Sequence, residues 1–205
     1  MSSPFNPLDK TVLARTVAKA LLEKPCGVLP PTDTFPGAGI YAIYYTGVFP
    51  SYAKIAALNR GQKFLAPIYV GKAIPEGGRK GKSRQKGTPG RELLSRLGEH
   101  AESIEQAKNL ELSDFTCRYL VVEDIWIPLA ERLLLQTYLP LWNRIVDGFG
   151  NHDPGVRRRH QHRSAWDVLH PGRTWVEKLG ASNKTPQQIN GEIGKFLAGW
   201  QAGQI

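Results

Sequence analysis

The chain has 205 residues, with 27 Lys and Arg against 18 Asp and Glu, a formal net charge of +9 and a hydrophobic share of 41%. That is chain enough for one buried core with appendages and apolar enough to exclude general disorder, while Cys26 and Cys117 are too few for a disulfide framework. No stretch approaches the roughly 18 apolar residues of a membrane span and "MSSPFNPLDK" does not resemble a secretion signal, so a cytoplasmic protein is expected, with nucleic acid as the leading partner for its charge.

Residues 8–24 put Val12, Leu13, Thr16, Val17, Ala20 and Leu21 on one helical stripe before Pro25, which predicts an amphipathic helix. The proline-rich segment 26–38 reads as an extended connection. "AGIYAIYYTG", residues 38–47, and "PIYVGK", residues 67–72, read as strands, each with a tyrosine close to a glycine. A glycine inside a strand marks a bulge, or a place where a ligand or another backbone comes close. By strand alternation Tyr45 shares the face of Tyr41 and Tyr44 does not, and both read as packing residues. Residues 51–61 open after Pro50 and end at Gly61, so a short helix separates the two strands.

Residues 75–90 hold five glycines, two prolines and five basic residues, Arg79, Lys80, Lys82, Arg84 and Lys86, against one Glu. Such a stretch builds no core, and its one-sided charge favours a DNA-contacting loop over a solvated linker. Residues 91–108 follow as a helix with Leu93, Leu94, Leu97, Ala101 and Ile104 on its apolar face, and residues 114–122 as a third strand. A further helix runs from near Pro128 to before Pro140. From Asn143 onward the texture changes: residues 148–173 are rich in Gly, Arg and His, with Arg157, Arg158, Arg159 and Arg163 as a second basic cluster, and a weak helical pattern returns near the C-terminus. The organisation expected is an N-terminal helix and connection over 1–36, a core over 37–145 containing the inserted helix 51–61 and the basic loop 75–90, and a DNA-contact or dimer extension over 146–205.

Arg96 and His100, spaced i and i+4 at the border of the leucine stripe, suit a phosphate site, although a surface arginine beside a half-buried histidine has the same spelling. Glu131 falls within an apolar stripe of Ile127, Leu134, Leu135 and Tyr138, so it requires an ion pair or a cation. A single hard carboxylate suits Mg2+, which keeps most of its waters and takes phosphate oxygens. Lys72, ending its strand, reads equally as a solvated edge lysine, and Asn143, just past a helix, as a left-handed cap or turn. His152, His160, His162 and His170 lack zinc-site spacing and read as loop residues near DNA.

Gly39, Ile40 and Tyr41, followed by Tyr69, Val70 and Gly71, resemble the two halves of the GIY-YIG nuclease signature, with Val where Ile is usual. Arg96, His100, Glu131 and Asn143 stand in the order of the family's remaining positions, and the resemblance covers roughly residues 37–145. It implies an α+β fold, a small central three-stranded antiparallel sheet flanked by helices. It further implies phosphodiester hydrolysis with Mg2+, or Mn2+ in its place, held by Glu131, with Arg96 on the phosphate and Tyr69 and Asn143 positioning it or the metal shell. Tyr41 is the expected general base, its phenolate stabilised by Lys72, Arg96 and His100; His100 is the alternative base, or the acceptor of the tyrosine proton. The strand glycines would then keep the sheet open to a phosphate and its water.

Within the superfamily the chain is most similar to type II restriction endonucleases, some of which cut CCGCGG. That implies double-stranded DNA as substrate, a homodimer on a palindrome, and a cognate DNA methyltransferase in the same system without direct binding. A homing or repair-type GIY-YIG nuclease and a non-catalytic DNA-binding protein are the alternatives. No separate DNA-binding module is evident for the first, and the intact Tyr, Arg, His, Glu and Asn positions argue against the second.

Overall fold

The computed structural model describes residues 9–75, 90–153, 161–203 and 205; Arg79, Lys80, Lys82, Arg84, Lys86, Arg157, Arg158, Arg159 and His160 lie outside the described residues. Helix α1 (Lys10–Leu22) starts at Asp9, whose Oδ1 accepts the Thr11 N–H at 2.6 Å, and buries Ala14, Ala18 and Leu21. The strands are β1 (Gly27–Val28), β2 (Gly39–Tyr45), β3 (Pro67–Ala73) and β4 (Phe115–Val121). They form one antiparallel sheet in the order β1, β4, β2, β3.

The fold is α+β around an antiparallel sheet, as the resemblance implies, but with four strands where three were expected. The addition lies inside the proline-rich connection, where Gly27 and Val28 pair with Cys117 and Thr116. Two residues are too few to show a period, and Pro30 and Pro31, having no N–H, cannot extend the ladder.

Every residue of the central strand β2 is buried. Alternation sends Tyr41, Ile43 and Tyr45 to one face and Ile40, Ala42 and Tyr44 to the other. The second face is covered by α1 and by α4 (Ile127–Tyr138), which pack on each other. The first is covered by α2 (Ala53–Asn59), α3 (Glu92–Glu105), α5 (Leu141–Arg144), α6 (Ala165–Leu169) and α7 (Pro186–Gly199).

The inserted segment, a 3-10 turn at Pro50–Tyr52 leading into α2, leaves the hairpin register intact. Its neck is closed by Asn59, whose amide donates to the carbonyls of Tyr45 (3.0 Å) and Ala66 (2.8 Å) and accepts the Ala66 N–H (2.9 Å). Tyr41 therefore sits opposite Gly71 and Ile43 opposite Tyr69, with a shift only between Ile43 and Tyr44. The strand glycines serve close packing. A Cβ on Gly39 would lie 2.0 Å from the Leu120 carbonyl oxygen, and one on Gly71 would lie 2.4 Å from Tyr41 Oη. The room they leave is filled by β4 and by Tyr41 itself, which corrects the expectation of a surface held open for phosphate.

The C-terminal region is no appendage. Val146, Phe149, Trp166, Leu169, Ile189, Ile193, Leu197 and Trp200 share one hydrophobic cluster with Tyr41, Leu93 and Leu97, so the core runs on past the boundary expected at 145. Gly, Arg and His concentrate in residues 148–173, while apolar residues spread along the whole region do the packing. Among the described residues no helix is long and apolar enough to cross a membrane.

Candidate active site

Tyr41 points from the centre of the sheet toward α3 and has no exposed surface. There it meets His100, with Oη and Nε2 2.6 Å apart. His100 is 1% exposed and shares the buried face of α3 with Leu93, Leu97 and Ile104, deeper than the border position its spacing suggests. Arg96, one turn earlier, is half-buried. Its Nη1 donates to Glu99 Oε2 at 2.7 Å and meets the His152 ring, and its Nη2 donates to the Gly150 carbonyl at 2.6 Å. Tyr69 completes the group from β3, with its ring centroid 6.2 Å from that of Tyr41 and 5.1 Å from that of His100. Phe149 stacks on His100, centroids 4.4 Å apart and planes within 17°.

Burial governs protonation here. It pushes the Tyr41 hydroxyl well above its usual 10, with Tyr69 adding to the rise and the Arg96 charge opposing it. Tyr69 is likewise raised by burial against the pull of Arg96. His100 is held well below 6.5 by burial, and the charges of Arg96, Arg173 and His152 act in the same direction. Near neutral pH the pair is a neutral phenol on a neutral imidazole. His100 thus supplies no positive charge to Tyr41, contrary to expectation; Arg96 does.

Lys72 is not a solvated edge lysine. Its Nζ lies 2.6 Å from Glu131 Oε2, with the two side chains 36% and 17% exposed, so an ion pair accounts for the carboxylate in the apolar stripe of α4. The Glu131 charge still reaches the Tyr69 hydroxyl and helps to raise it. A hard, half-buried carboxylate at the edge of the tyrosine cluster fits an ion that keeps most of its own waters, as Mg2+ does. Among the described residues no group of three or more His, Cys, Asp or Glu is placed to hold a metal ion.

Asn143 does not take the left-handed conformation; Leu139, which caps α4 with φ 45°, does. Asn143 lies inside α5, where its Oδ1 accepts the Val70 N–H and its Nδ2 donates to the Val70 carbonyl, both at 2.9 Å. The amide stands in for a further strand at the outer edge of β3 and fixes the residue between Tyr69 and Gly71. Both amide contacts are to the strand.

Among the described residues, the histidines of the C-terminal region do not gather. His152 meets Arg96, and His162 Nδ1 donates to the Ala181 carbonyl at 2.6 Å. His170 is a core residue, wholly buried between Tyr52 Oη at 2.6 Å and Asn109 Oδ1 at 2.9 Å, and burial pushes it down to about 3. Arg163 is exposed and open to a partner. The residues that sequence reading misses are Phe149, Gly150 and Arg173. A Cβ on Gly150 would lie 2.6 Å from Tyr69 Oη and 3.2 Å from Arg96 Nη2, so only a glycine brings this backbone so near. An aromatic between two glycines, "GFG", is the signal that could reveal it; nothing local marks Arg173.

A family model described as the Eco29kI GIY-YIG domain matches residues 33–197, well over half of the chain, a range that contains Tyr41, Tyr69, Arg96, His100, Glu131 and Asn143. No curated protein matches the chain.

Proposed function

The chain belongs to the Eco29kI GIY-YIG family, a restriction branch of the GIY-YIG nucleases, and from that premise we propose that it is a type II restriction endonuclease. Its substrate is double-stranded DNA cut within a short palindrome, CCGCGG being the candidate. The observation that carries this reading is the 2.6 Å contact of Tyr41 with His100 beside the Arg96 guanidinium, a proton acceptor next to a phosphate-binding charge.

Phosphodiester hydrolysis needs a deprotonated water, neutralised charge on the phosphoryl oxygens and a stabilised 3′ leaving oxygen. Tyr41 Oη, sealed off in the DNA-free protein, takes the proton of the attacking water once DNA binding admits that water, and hands its own to His100 Nε2. This route avoids a standing phenolate, which burial disfavours, and ends on an imidazolium, which burial and the Arg96 charge disfavour in the DNA-free protein and which the negative charge of the bound phosphate must offset. Arg96 exchanges Glu99 for phosphate oxygens while the Gly150 carbonyl keeps hold of Nη2. Tyr69 donates to the same phosphate, and Asn143 keeps its strand in place. Glu131, steadied by Lys72, would hold Mg2+ or Mn2+, which supplies Lewis acidity at the phosphate and the leaving oxygen.

A palindrome is read by a two-fold protein, so the working form is a homodimer with one active site per strand. Arg79, Lys80, Lys82, Arg84, Lys86, Arg157, Arg158, Arg159 and Arg163 supply groove and phosphate contacts. A cognate methyltransferase, not bound to this protein, protects the same site in the host cytoplasm. Digestion of a long DNA of known sequence, with Mg2+ or with chelator, tests the reading. Discrete fragments that require the metal and end at one palindrome support it; a smear, cutting confined to junctions, or binding without cutting overturns it.

A further inference from the structure

Arg173 lies behind the active site at 2% exposure. Its guanidinium sits 4.0 Å from the centroid of the Trp166 ring, and Nε is 3.5 Å from Asp167 Oδ1. Nη1 donates to the carbonyls of Asn151 (3.2 Å) and Gly148 (3.4 Å), and Nη2 to those of Phe149 (3.2 Å) and Gly148 (3.4 Å). One buried cation thus gathers the carbonyls of Gly148, Phe149 and Asn151. The carbonyl left over, that of Gly150, accepts from Arg96 Nη2 at 2.6 Å.

A guanidinium so deep is costly: burial pulls Arg173 down to about 10 against the opposing effect of Asp167. For packing alone, apolar side chains in place of such a pair serve as well or better. What they cannot do is hold three carbonyls of a tight loop on one side. The same loop touches the active site at four points: Gly150 on Arg96, Gly150 against Tyr69, Phe149 edge-on to the Tyr69 ring, and Phe149 stacked on His100.

We infer that Arg173 is a positioning residue, which clamps the loop 148–151 so that the Gly150 carbonyl orients Arg96 and Phe149 braces His100. Its effect on turnover rests on the nuclease reading; the clamp itself is a property of the free protein.

The test is Arg173→Lys, which keeps a charge beside Asp167 but replaces a rigid fork by a single ammonium. The expected result is a kcat lower by about 100-fold at unchanged KM for DNA, the effect of a small misplacement of a catalytic group. Asp167→Asn, which leaves the carbonyl contacts in place, should lose thermal stability and retain kcat. Gly150→Ala displaces the same carbonyl without touching Arg173, and should lower kcat even if Arg173→Lys fails to fold. In the DNA-free protein, the guanidinium N–H signals of Arg96 should be resolved in wild type and averaged in Arg173→Lys and Gly150→Ala. Wild-type kcat in Arg173→Lys, a change confined to KM, an equal loss of kcat in Asp167→Asn, or unaltered Arg96 signals would each overturn the clamp. If the wild-type protein cuts no DNA, the nuclease reading fails and the Arg96 signals alone decide.

Discussion

Tyr41 and His100 are 59 positions apart in the chain and 2.6 Å apart in the fold, Oη to Nε2, with neither more than 1% exposed. Tyr41→Phe deletes the hydroxyl and keeps the ring, so the packing on Tyr69 survives while the proton route is cut. Turnover should fall by about 10²- to 10⁴-fold with DNA affinity retained. His100→Ala should fall at least as far, since it also leaves the buried Tyr41 hydroxyl without its partner. Single-turnover cleavage, with binding measured in chelator, checks both variants. Full turnover in Tyr41→Phe with none in His100→Ala would assign the base to His100 alone.

Asn143 supports the site through Val70. Asn143→Leu keeps the bulk and removes both amide contacts, leaving the Val70 N–H and carbonyl unpaired at a largely buried strand edge. A loss of about 1–3 kcal/mol in urea unfolding is expected. Hydrogen exchange at the Val70 amide should accelerate, while the amides of Tyr69 and Gly71, which face β2 by antiparallel alternation, keep their protection. Unchanged exchange at Val70 would show that the amide contact does not hold the edge.

What could be read in the sequence divides along physical lines. Helices α1, α3 and α4 and strand β2 are legible because burial of one face, or of a whole strand, writes a period into the residues. Tyr41, Arg96 and His100 meet because those periods bring β2 and the buried side of α3 together. The partner of Asn143 is a backbone in another element, which no side-chain pattern announces. Arg173 is hidden for the same reason, since its partners are carbonyls. The protonation of the Tyr41 and His100 pair misleads at the level of sequence because neighbouring cations suggest a phenolate, whereas burial, a tertiary property, sets the sign.

The buried histidines make stability depend on pH. Folded, His170 is pushed down to about 3 and His100 is held well below 6.5; unfolded, both titrate near about 6.5. Below that pH the unfolded chain binds more protons than the folded one. Stability therefore falls with falling pH, by up to about 1.4 kcal/mol per pH unit for each histidine until its folded pKa is reached. Asp167 and Asp114, both raised from 3.8 by burial, have the opposite sign between 3.8 and their folded values. His170→Gln should lower stability near neutrality yet flatten its decline between about pH 6 and 4.5. Urea unfolding across that range checks it, and an unaltered slope would mean that His170 is already protonated in the fold.

Two glycines next to the same site lead to opposite predictions. A Cβ on Gly71 would lie 2.4 Å from Tyr41 Oη and 2.5 Å from its Cζ, and the ring has no exposed side toward which to retreat. Gly71→Ala must push the ring off His100 or spread β3 from β2, costing about 1–3 kcal/mol as overpacking and, by the proposed route, most of the turnover. Gly98 lies within α3, where an added Cβ meets nothing within 4 Å. Gly98→Ala should stabilise the protein by about 0.5–1 kcal/mol through helix propensity and leave cleavage unchanged. Thermal unfolding and cleavage rates of the two variants, measured side by side, separate a glycine required by a neighbour from one that is not. If Gly71→Ala were as benign as Gly98→Ala, the Tyr41 ring could move freely, and the 2.6 Å contact with His100 would lose its claim on the mechanism.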